Sequence, residues 1–418
     1  MAHEVICLRE YEYLPYERLG GEALDALERL VAQRELRLFR FYRNRLQAQQ
    51  FVGVVQTGRT TLLLLPKVYN RDEENLALLL LLLRYTGRLR IRPTGLADLA
   101  EARSSFLEVW IAHFARALNH VLQRNPRRAY IDVEERSGFL RGRLLVERMR
   151  TGRAPLTGQY PCRYQVSTMD HRLNQVLAFC NRLLLAQTTV ASTGTLLRAN
   201  ESLLGDVQFR HVGAEEIDQI HLNRLNRDYE PLLDLCRLLL KNATPDLRSG
   251  RIRQLAFVFD MNRLFEDFVT AFLVRNAHRL GFHGTVPLRD VRPQYALGKL
   301  FDAFPMRVDL LLEDVAGRRL LVDAKYKATD PEAHHAGLVQ ADFYQMHAYA
   351  RAGTRPYDDV VLLYPATGGI RRTYTANGVR LHIREIDLKR CANLERGTVD
   401  VAKAIQEFRQ VLSIRKAA

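Results

Sequence analysis

The segment Met306–Lys327, MRVDLLLEDVAGRRLLVDAKYK, carries two carboxylates and an ammonium at a spacing that could do chemistry: Asp309, Asp323 and Lys325. Two apolar runs flank Val315-Ala316-Gly317, and Gly317 supplies the positive φ that ends a three-residue hairpin loop. Pairing Asp314 with Arg318 continues outward until Asp309 lies opposite Asp323. Opposed residues of an antiparallel pair share a face, with Cβ atoms about 4.5–5.5 Å apart. Alternation adds Lys325 to that face. Carboxylates this close repel unless a divalent cation sits between them, and Mg²⁺ takes one or two carboxylates together with water and phosphate oxygens. A cation so held polarises a phosphoryl oxygen and acidifies bound water. Lys325 could orient or deprotonate that water, or stabilise charge on the phosphorane. The Ala324 carbonyl would complete the inner shell.

The bare pattern also fits an exposed hairpin with an ordinary Asp323–Lys325 salt bridge. The flanking residues argue otherwise. Val308, Leu310, Leu311, Leu312, Leu320, Leu321 and Val322 read as strands covered on both faces, where unpaired charge is costly. Two helices offer further candidates. Glu266 could project from the preceding helix, or be a solvated helix-edge acid. Gln345 and Tyr349 stand at i,i+4 on the following helix and share a face.

These residues need an α/β frame. A helix is expected from Asp260 to Leu280, with Met261, Leu264, Phe265, Phe268, Val269, Phe272 and Leu273 as its apolar face, Asp260 as N-cap and Gly281 as stop. After the β region come a helix around Val339–Ala352, a strand Val360–Tyr364 and a terminal helix Val399–Leu412. That order predicts a mixed sheet flanked by helices. Upstream, a helix Gly21–Leu36 precedes a hairpin of Phe51–Gln56 and Thr61–Val68, then a buried helix Leu76–Tyr85. Residues 96–250 look largely helical, beginning with a helix through Phe106–Leu118 that must stop before Pro126. Turn-rich Asn242–Gly250 is the candidate boundary. The expected organisation is therefore a β-rich N-terminal region over 1–95, a helical middle over 96–250 and an α/β domain over 251–418.

At 418 residues, the chain is longer than one hydrophobic core usually serves. Its 47% hydrophobic and 26% charged residues exclude disordered and collagen-like classes. The longest apolar run, Leu76–Leu83, falls far short of the roughly 20 residues of a membrane span. Glu4, Glu10 and Glu12 occupy the place of a secretory signal, so a cytoplasmic protein with no membrane partner is expected. Five scattered cysteines show no metal-ligand spacing and read as core thiols. The formal net charge of +15 points to a polyanionic partner, most simply nucleic acid. The Gly-punctuated basic stretch 124–150 could contact phosphate or simply be solvated.

An acid, an apolar strand ending in Asp-Ala-Lys, and a helix bearing Gln and Tyr together resemble the PD-(D/E)xK nuclease core, with Val308 standing where the motif has Pro. The longer strings FVFDMNRLFEDFV (Phe257–Val269), RVDLLLEDVAGRRLLVDAKYK (Arg307–Lys327) and ADFYQMHAYA (Ala341–Ala350) are similar to the McrC family, the nuclease subunits of McrBC modification-dependent restriction systems. FVGVVQTGRTTLLLLPKVY and GFLRGRL echo it upstream. The resemblance implies a PD-(D/E)xK-like domain in the last third of the chain and Mg²⁺-dependent cleavage of double-stranded, methylcytosine-containing DNA, with Mn²⁺ as the alternative metal. It implies Asp309, Asp323, Lys325, Glu266 and Gln345 as catalytic residues, and Asp309, Asp323 and Ala324 as metal ligands. It also implies a partner, a McrB-like hexameric AAA+ GTPase whose turnover the subunit stimulates. No GxxxxGK[ST] loop occurs in the chain, so the chain is not the motor. The Arg37–Arg45 cluster is a candidate motor contact, or a solvated face. Two rivals stand beside this reading: a non-catalytic adaptor of an AAA+ motor, and a stand-alone structure-specific nuclease.

Overall fold

A computed structural model of the chain describes residues 4–34, 37–57, 60–88, 106–149, 158–224, 226–245, 252–283, 295–300, 304–314, 319–327, 339–351, 357, 359–366 and 369–412. The chain divides into two compact units. Met1–Phe106 and Phe257–Ala418 together form the first, and Leu107–Ala256 forms the second. The β-rich N-terminal region and the region from 251 onward both contribute to the first unit. No helix among the described residues is long and apolar enough to cross a membrane.

A six-stranded mixed sheet lies at the centre of the first unit. Its order is Phe282–His283, Leu310–Asp314, Arg319–Ala324, Asp359–Pro365, Val379–Ile386, Arg372–Ala376. Leu310–Asp314 runs antiparallel to Arg319–Ala324, which runs parallel to Asp359–Pro365, and that strand runs parallel to Val379–Ile386. The observed register Leu310↔Val322, Leu311↔Leu321, Leu312↔Leu320 and Glu313↔Arg319 is the one expected from the sequence. The loop residues 315–318 on which that expectation was built lie outside the described residues. Leu310–Leu312 and Leu320–Ala324 are buried, as strands covered on both faces should be. The helix Gln340–Arg351 links the two parallel strands, and its Met346, Tyr349 and Ala350 pack with Leu321, Val360 and Leu362.

The preceding helix, Met261–Leu280, forms where its capping residues dictate. The Asp260 carboxylate accepts the Asn262 N–H at 2.9 Å, and Gly281 ends the helix at φ 86°. Phe272 on this helix stacks on Phe408 of the terminal helix Val401–Leu412, with centroids 4.7 Å apart. One hairpin was absent from the sequence reading. Arg372–Ala376 and Val379–Ile386 join through Asn377-Gly378, at φ 51° and 78°. Such a two-residue turn needs positive φ at both positions, which Asn and Gly supply.

A second sheet in the same unit pairs Glu4–Arg9 parallel to Thr60–Leu65, and Thr60–Leu65 antiparallel to Phe51–Thr57. Phe257–Asp260, the end of the strand Ile252–Asp260, lies beside Phe51–Thr57. The approach there is close. A Cβ on Gly53, which sits at φ +133°, would fall 2.1 Å from the Phe257 carbonyl oxygen, so only glycine fits. The helix Asp72–Tyr85 buries Leu76–Leu83, and Tyr85 meets Phe268 edge-on at 5.4 Å.

Helices make up much of residues 106–242, as a largely helical middle predicts: Phe106–Arg124, Arg172–Leu185, Ala191–Leu203 and Glu230–Asn242, the third running through Ser192–Gly194, whose composition suggests a turn. The second unit also contains an antiparallel sheet that the reading of a largely helical middle lacked: Ala129–Ser137, Tyr160–Thr168 and Arg143–Leu144. The long strand Ala129–Ser137 is mostly exposed, so the apolar alternation that marks a half-buried strand is missing from its sequence. Cys162, Cys180, Cys236 and Cys391 are buried and Cys7 is exposed, all of them free.

Candidate active site

Asp309 occupies a bend between the strands Phe304–Val308 and Leu310–Asp314, where the chain changes pairing partner. Freed from the ladder, its carboxylate replaces a backbone acceptor: Asp309 Oδ2 takes the Ala324 N–H at 2.8 Å. This bond fastens the first acid to the end of the strand that carries the second. Asp323 is 4% exposed, and Lys325 Nζ stands 2.8 Å from its Oδ2. The two form a close, largely buried ion pair. Lys325 follows the last strand residue and donates its backbone N–H to the Leu363 carbonyl, so the ladder with Asp359–Pro365 reaches the site. The cluster therefore sits at the carboxyl ends of two parallel strands, the end of an open α/β sheet where ligands bind.

The helices bring the flanking candidates near. On the helix Met261–Leu280, Glu266 feels the charges of Asp323 and Lys325. On the helix Gln340–Arg351, Gln345 Nε2 donates to the Tyr349 hydroxyl at 2.7 Å, and Tyr349 lies within the fields of Asp323, Lys325 and Asp309. The structure places Asp309, Asp323 and Lys325 side by side, with Glu266 and Gln345 on the two flanking helices. Arg45 of the Arg37–Arg45 cluster is elsewhere. It belongs to a small three-stranded sheet and stacks over Tyr13 at 4.1 Å.

Three acids share one electrostatic predicament. Burial, then repulsion from Asp323, pushes the Glu266 carboxyl up to about 7, with Lys325 opposing. Burial and the Asp323 charge raise Asp309 well above the ordinary carboxylate range. Burial raises Asp323 against the pull of Lys325. Burial alone would lower Lys325, but Asp323, Asp342 and Asp309 together hold it above its usual value, as a charged ammonium. The carboxyls of Asp309, Glu266, Asp323 and Asp342 outnumber the two ammoniums, Lys325 and Lys327, that pull on them.

Two supporting groups escaped the sequence reading. Asp342, 6% exposed, pairs with Lys327 Nζ at 3.0 Å, accepts the Tyr364 hydroxyl at 3.3 Å, and acts on both Asp323 and Lys325. Its signal was available: Asp342, Gln345 and Tyr349 recur at helical spacing, and Lys327 repeats the face of Lys325 two residues on. Glu10, 2% exposed, accepts the Tyr326 hydroxyl at 2.8 Å. Nothing local in the sequence marks that contact across 316 positions.

The McrBC family, described as "McrBC 5-methylcytosine restriction system component", matches residues 46–365. No curated protein matches the sequence. Among solved structures, the fold is similar to the McrC chain in the refined half-complex from the tetradecameric assembly of Thermococcus gammatolerans McrB AAA+ hexamers with bound McrC. The TM-score is 0.76 at 22% identity, covering 98% of this chain and 99% of that one. A chain of the cryo-EM structure of the Thermococcus gammatolerans McrBC complex matches at TM-score 0.55 and 25% identity, covering 65% of this chain and 88% of that one. Taken with the family match across most of its length, the chain belongs to the McrBC restriction-system component family.

Proposed function

We propose that this chain is the DNA-cutting subunit of a McrBC-type restriction complex, with a PD-(D/E)xK-like nuclease site at Asp309, Asp323 and Lys325. The observation that carries the reading is the set of buried, under-neutralised carboxyls at the carboxyl ends of parallel strands, tied together by the Asp309–Ala324 bond. The topology supports it too. A helix, an antiparallel hairpin, a crossover helix and a parallel strand follow one another around the site.

Among the described residues, no group of three or more His, Cys, Asp or Glu side chains is arranged to hold a metal ion. The residues present fit a leaner arrangement. Mg²⁺ commonly uses one or two carboxylates and fills its remaining positions with water and phosphate oxygens. The buried Asp323 and Asp309, both raised by burial and Asp309 further by the Asp323 charge, are groups a cation would relieve. Asp309, Asp323 and the Ala324 carbonyl would hold Mg²⁺, or Mn²⁺ in its place. Once bound, the ion supplies Lewis-acid polarisation of the scissile phosphate and a more acidic water.

The chain's own residues do the rest. Lys325, charged, orients the attacking water and stabilises the negative charge gathering on phosphorus. Asp342 and Lys327 brace the segment that carries Lys325. Gln345, held by Tyr349, positions water or a phosphate oxygen from the following helix. Glu266 adds an acid from the preceding one. The substrate would be double-stranded DNA bearing methylcytosine, held through its phosphates by the basic surface that a net charge of +15 provides. Its partner would be a McrB-like AAA+ GTPase hexamer that this subunit stimulates.

The test is cleavage of methylated and unmethylated plasmid in Mg²⁺, with and without the motor and GTP, using wild type and Asp323→Ala. Cutting of methylated DNA by wild type only, and only with motor and GTP, is expected. Undiminished cutting by Asp323→Ala would remove the site assignment. A rise in GTP turnover with a complex that cuts DNA under no condition would establish an adaptor instead.

A further inference from the structure

Glu10 directly follows the first strand, Glu4–Arg9, and its backbone N–H continues the ladder by donating to the Leu65 carbonyl at 3.0 Å. An exposed acid would be ordinary at a strand end, yet this one is buried. Its Oε2 accepts two donors, the Tyr326 hydroxyl at 2.8 Å and the Lys67 backbone N–H at 3.2 Å. Its Oε1 has none. Burying a carboxyl costs free energy that an apolar residue would avoid, so this position invites a reason.

Its partners supply one. Tyr326 stands between Lys325 and Lys327, beyond the last residue of the strand Arg319–Ala324. The Lys327 N–H donates to the Lys325 carbonyl at 3.1 Å, so the chain makes a tight turn with Tyr326 at its apex. The ring packs on Phe265, centroids 5.7 Å apart, one residue from Glu266. Asp260, which caps the helix carrying Glu266, is close enough for its charge to act on Glu10. Glu10 thus meets the segment that follows Asp323 and lies near the start of the helix that carries Glu266, from a sheet that contributes no site residue.

We infer that Glu10 is a positioning residue, which through the Tyr326 hydroxyl fixes the Lys325–Lys327 stretch and so lets the N-terminal sheet set the geometry of the cutting site. This rests on the nuclease reading given above. Neither Glu10 nor Tyr326 touches the reacting atoms; their effect is on where Lys325 Nζ stands. Burial raises the Glu10 carboxyl to about 7, with the Tyr326 and Lys67 bonds pulling it back, so its neutral form also keeps Oε2 as an acceptor.

The experiment measures single-turnover cleavage of methylated DNA by the full complex with motor and GTP, alongside DNA affinity and melting temperature. Tyr326→Phe keeps the ring and removes only the hydroxyl. Glu10→Leu removes the acceptor, and Glu10→Gln retains it. Tyr326→Phe and Glu10→Leu should each slow the single-turnover rate about tenfold at unchanged DNA affinity, because a misplaced group costs rate rather than binding. The double variant should be no slower than the worse single one, and Glu10→Gln should stay within about twofold of wild type. A folded Tyr326→Phe that cuts at the wild-type rate overturns the inference, as do losses that multiply in the double variant. Asp323→Ala is the reference. If it is inactive while Tyr326→Phe is normal, the positioning role fails alone. If it cuts normally, the nuclease reading and this inference fall together.

Discussion

The two ends of the central sheet treat a buried aspartate in opposite ways. Asp359 opens the strand Asp359–Pro365 at one end, and Asp323 nearly closes the neighbouring parallel strand at the other. Asp359 receives both arms of Arg380 at 2.8 Å and His382 Nε2 at 2.9 Å. Burial would raise its pKa, but the His382 and Arg380 bonds more than offset this and hold it down at about 2. Asp323 is pulled down by Lys325 and Lys327 but shares its surroundings with Asp309, Glu266 and Asp342, and burial leaves it raised. Satisfying a buried acid is thus within the means of this sheet. Where it is left raised, beside others like it, a ligand is the economical explanation.

The comparison breaks most sharply by exchanging the roles of the two aspartates. Asp323→Ala should reduce cleavage by about 10³-fold or more, since it removes both a proposed metal ligand and the partner of Lys325. Its melting temperature without divalent ions should hold or rise, because a poorly compensated buried charge is gone. Asp359→Ala should do the reverse, leaving the cleavage rate of folded protein near wild type. It should lose about 2–3 kcal/mol of stability, less than for a wholly buried pair because Arg380 is one-third exposed. Denaturant melts and single-turnover assays of the same preparations decide both halves. If Asp323→Ala melts and Asp359→Ala fails to cut, the contrast is wrong.

A next smaller effect comes from the cation of the site. Lys325→Met should slow single-turnover cleavage about 10²-fold with DNA affinity preserved, if its role is to orient water and stabilise charge. A loss of affinity at an unchanged rate would make it a phosphate anchor instead.

Acidity then sharpens the contrast. Glu266 and Glu10 have folded-state values of about 7, above those of the unfolded chain. The folded state therefore keeps protons that the unfolded state has released, and stability should fall as pH rises from about 4.5 through about 7. Asp359 has the opposite sign: its contribution is present above the unfolded value and is lost as pH falls towards about 2. Thermal melts between pH 5 and 8 should show the decline, and Mg²⁺ should reverse part of it at the alkaline end in wild type but not in Asp323→Asn. An Mg²⁺ effect equal in both would place the ion elsewhere. The smallest effect is expected at Gln345→Ala, about tenfold in rate, the scale of an outer-shell group.

Much of this site was legible because it is local. The register expected from side chains alternating by two is the one observed from Leu310↔Val322 to Glu313↔Arg319, with Asp309 at the bend just beyond it. Asp260 and Gly281 announced the ends of their helix for equally local reasons. Asn377-Gly378 marks a turn, but the hairpin around it is hard to read because Arg372–Ala376 is mostly exposed and Val379–Ile386 buries His382, Arg384 and Glu385 among its apolar residues. The sheet of the second unit left little to read. Most residues of Ala129–Ser137 face solvent, so no burial constraint shaped their alternation.

The sequence alone determined which acids and which lysine meet across one hairpin, because chain neighbours two residues apart and strands joined by a short loop have almost no freedom to meet otherwise. Tertiary structure decided what surrounds them. Glu10 and Tyr326 meet across 316 positions, and Asp342 joins Lys327 and Tyr364 from a separate helix. Those contacts depend on how whole sheets and helices pack, and with them comes the burial that turns ordinary carboxylates into the strained cluster at the end of the sheet.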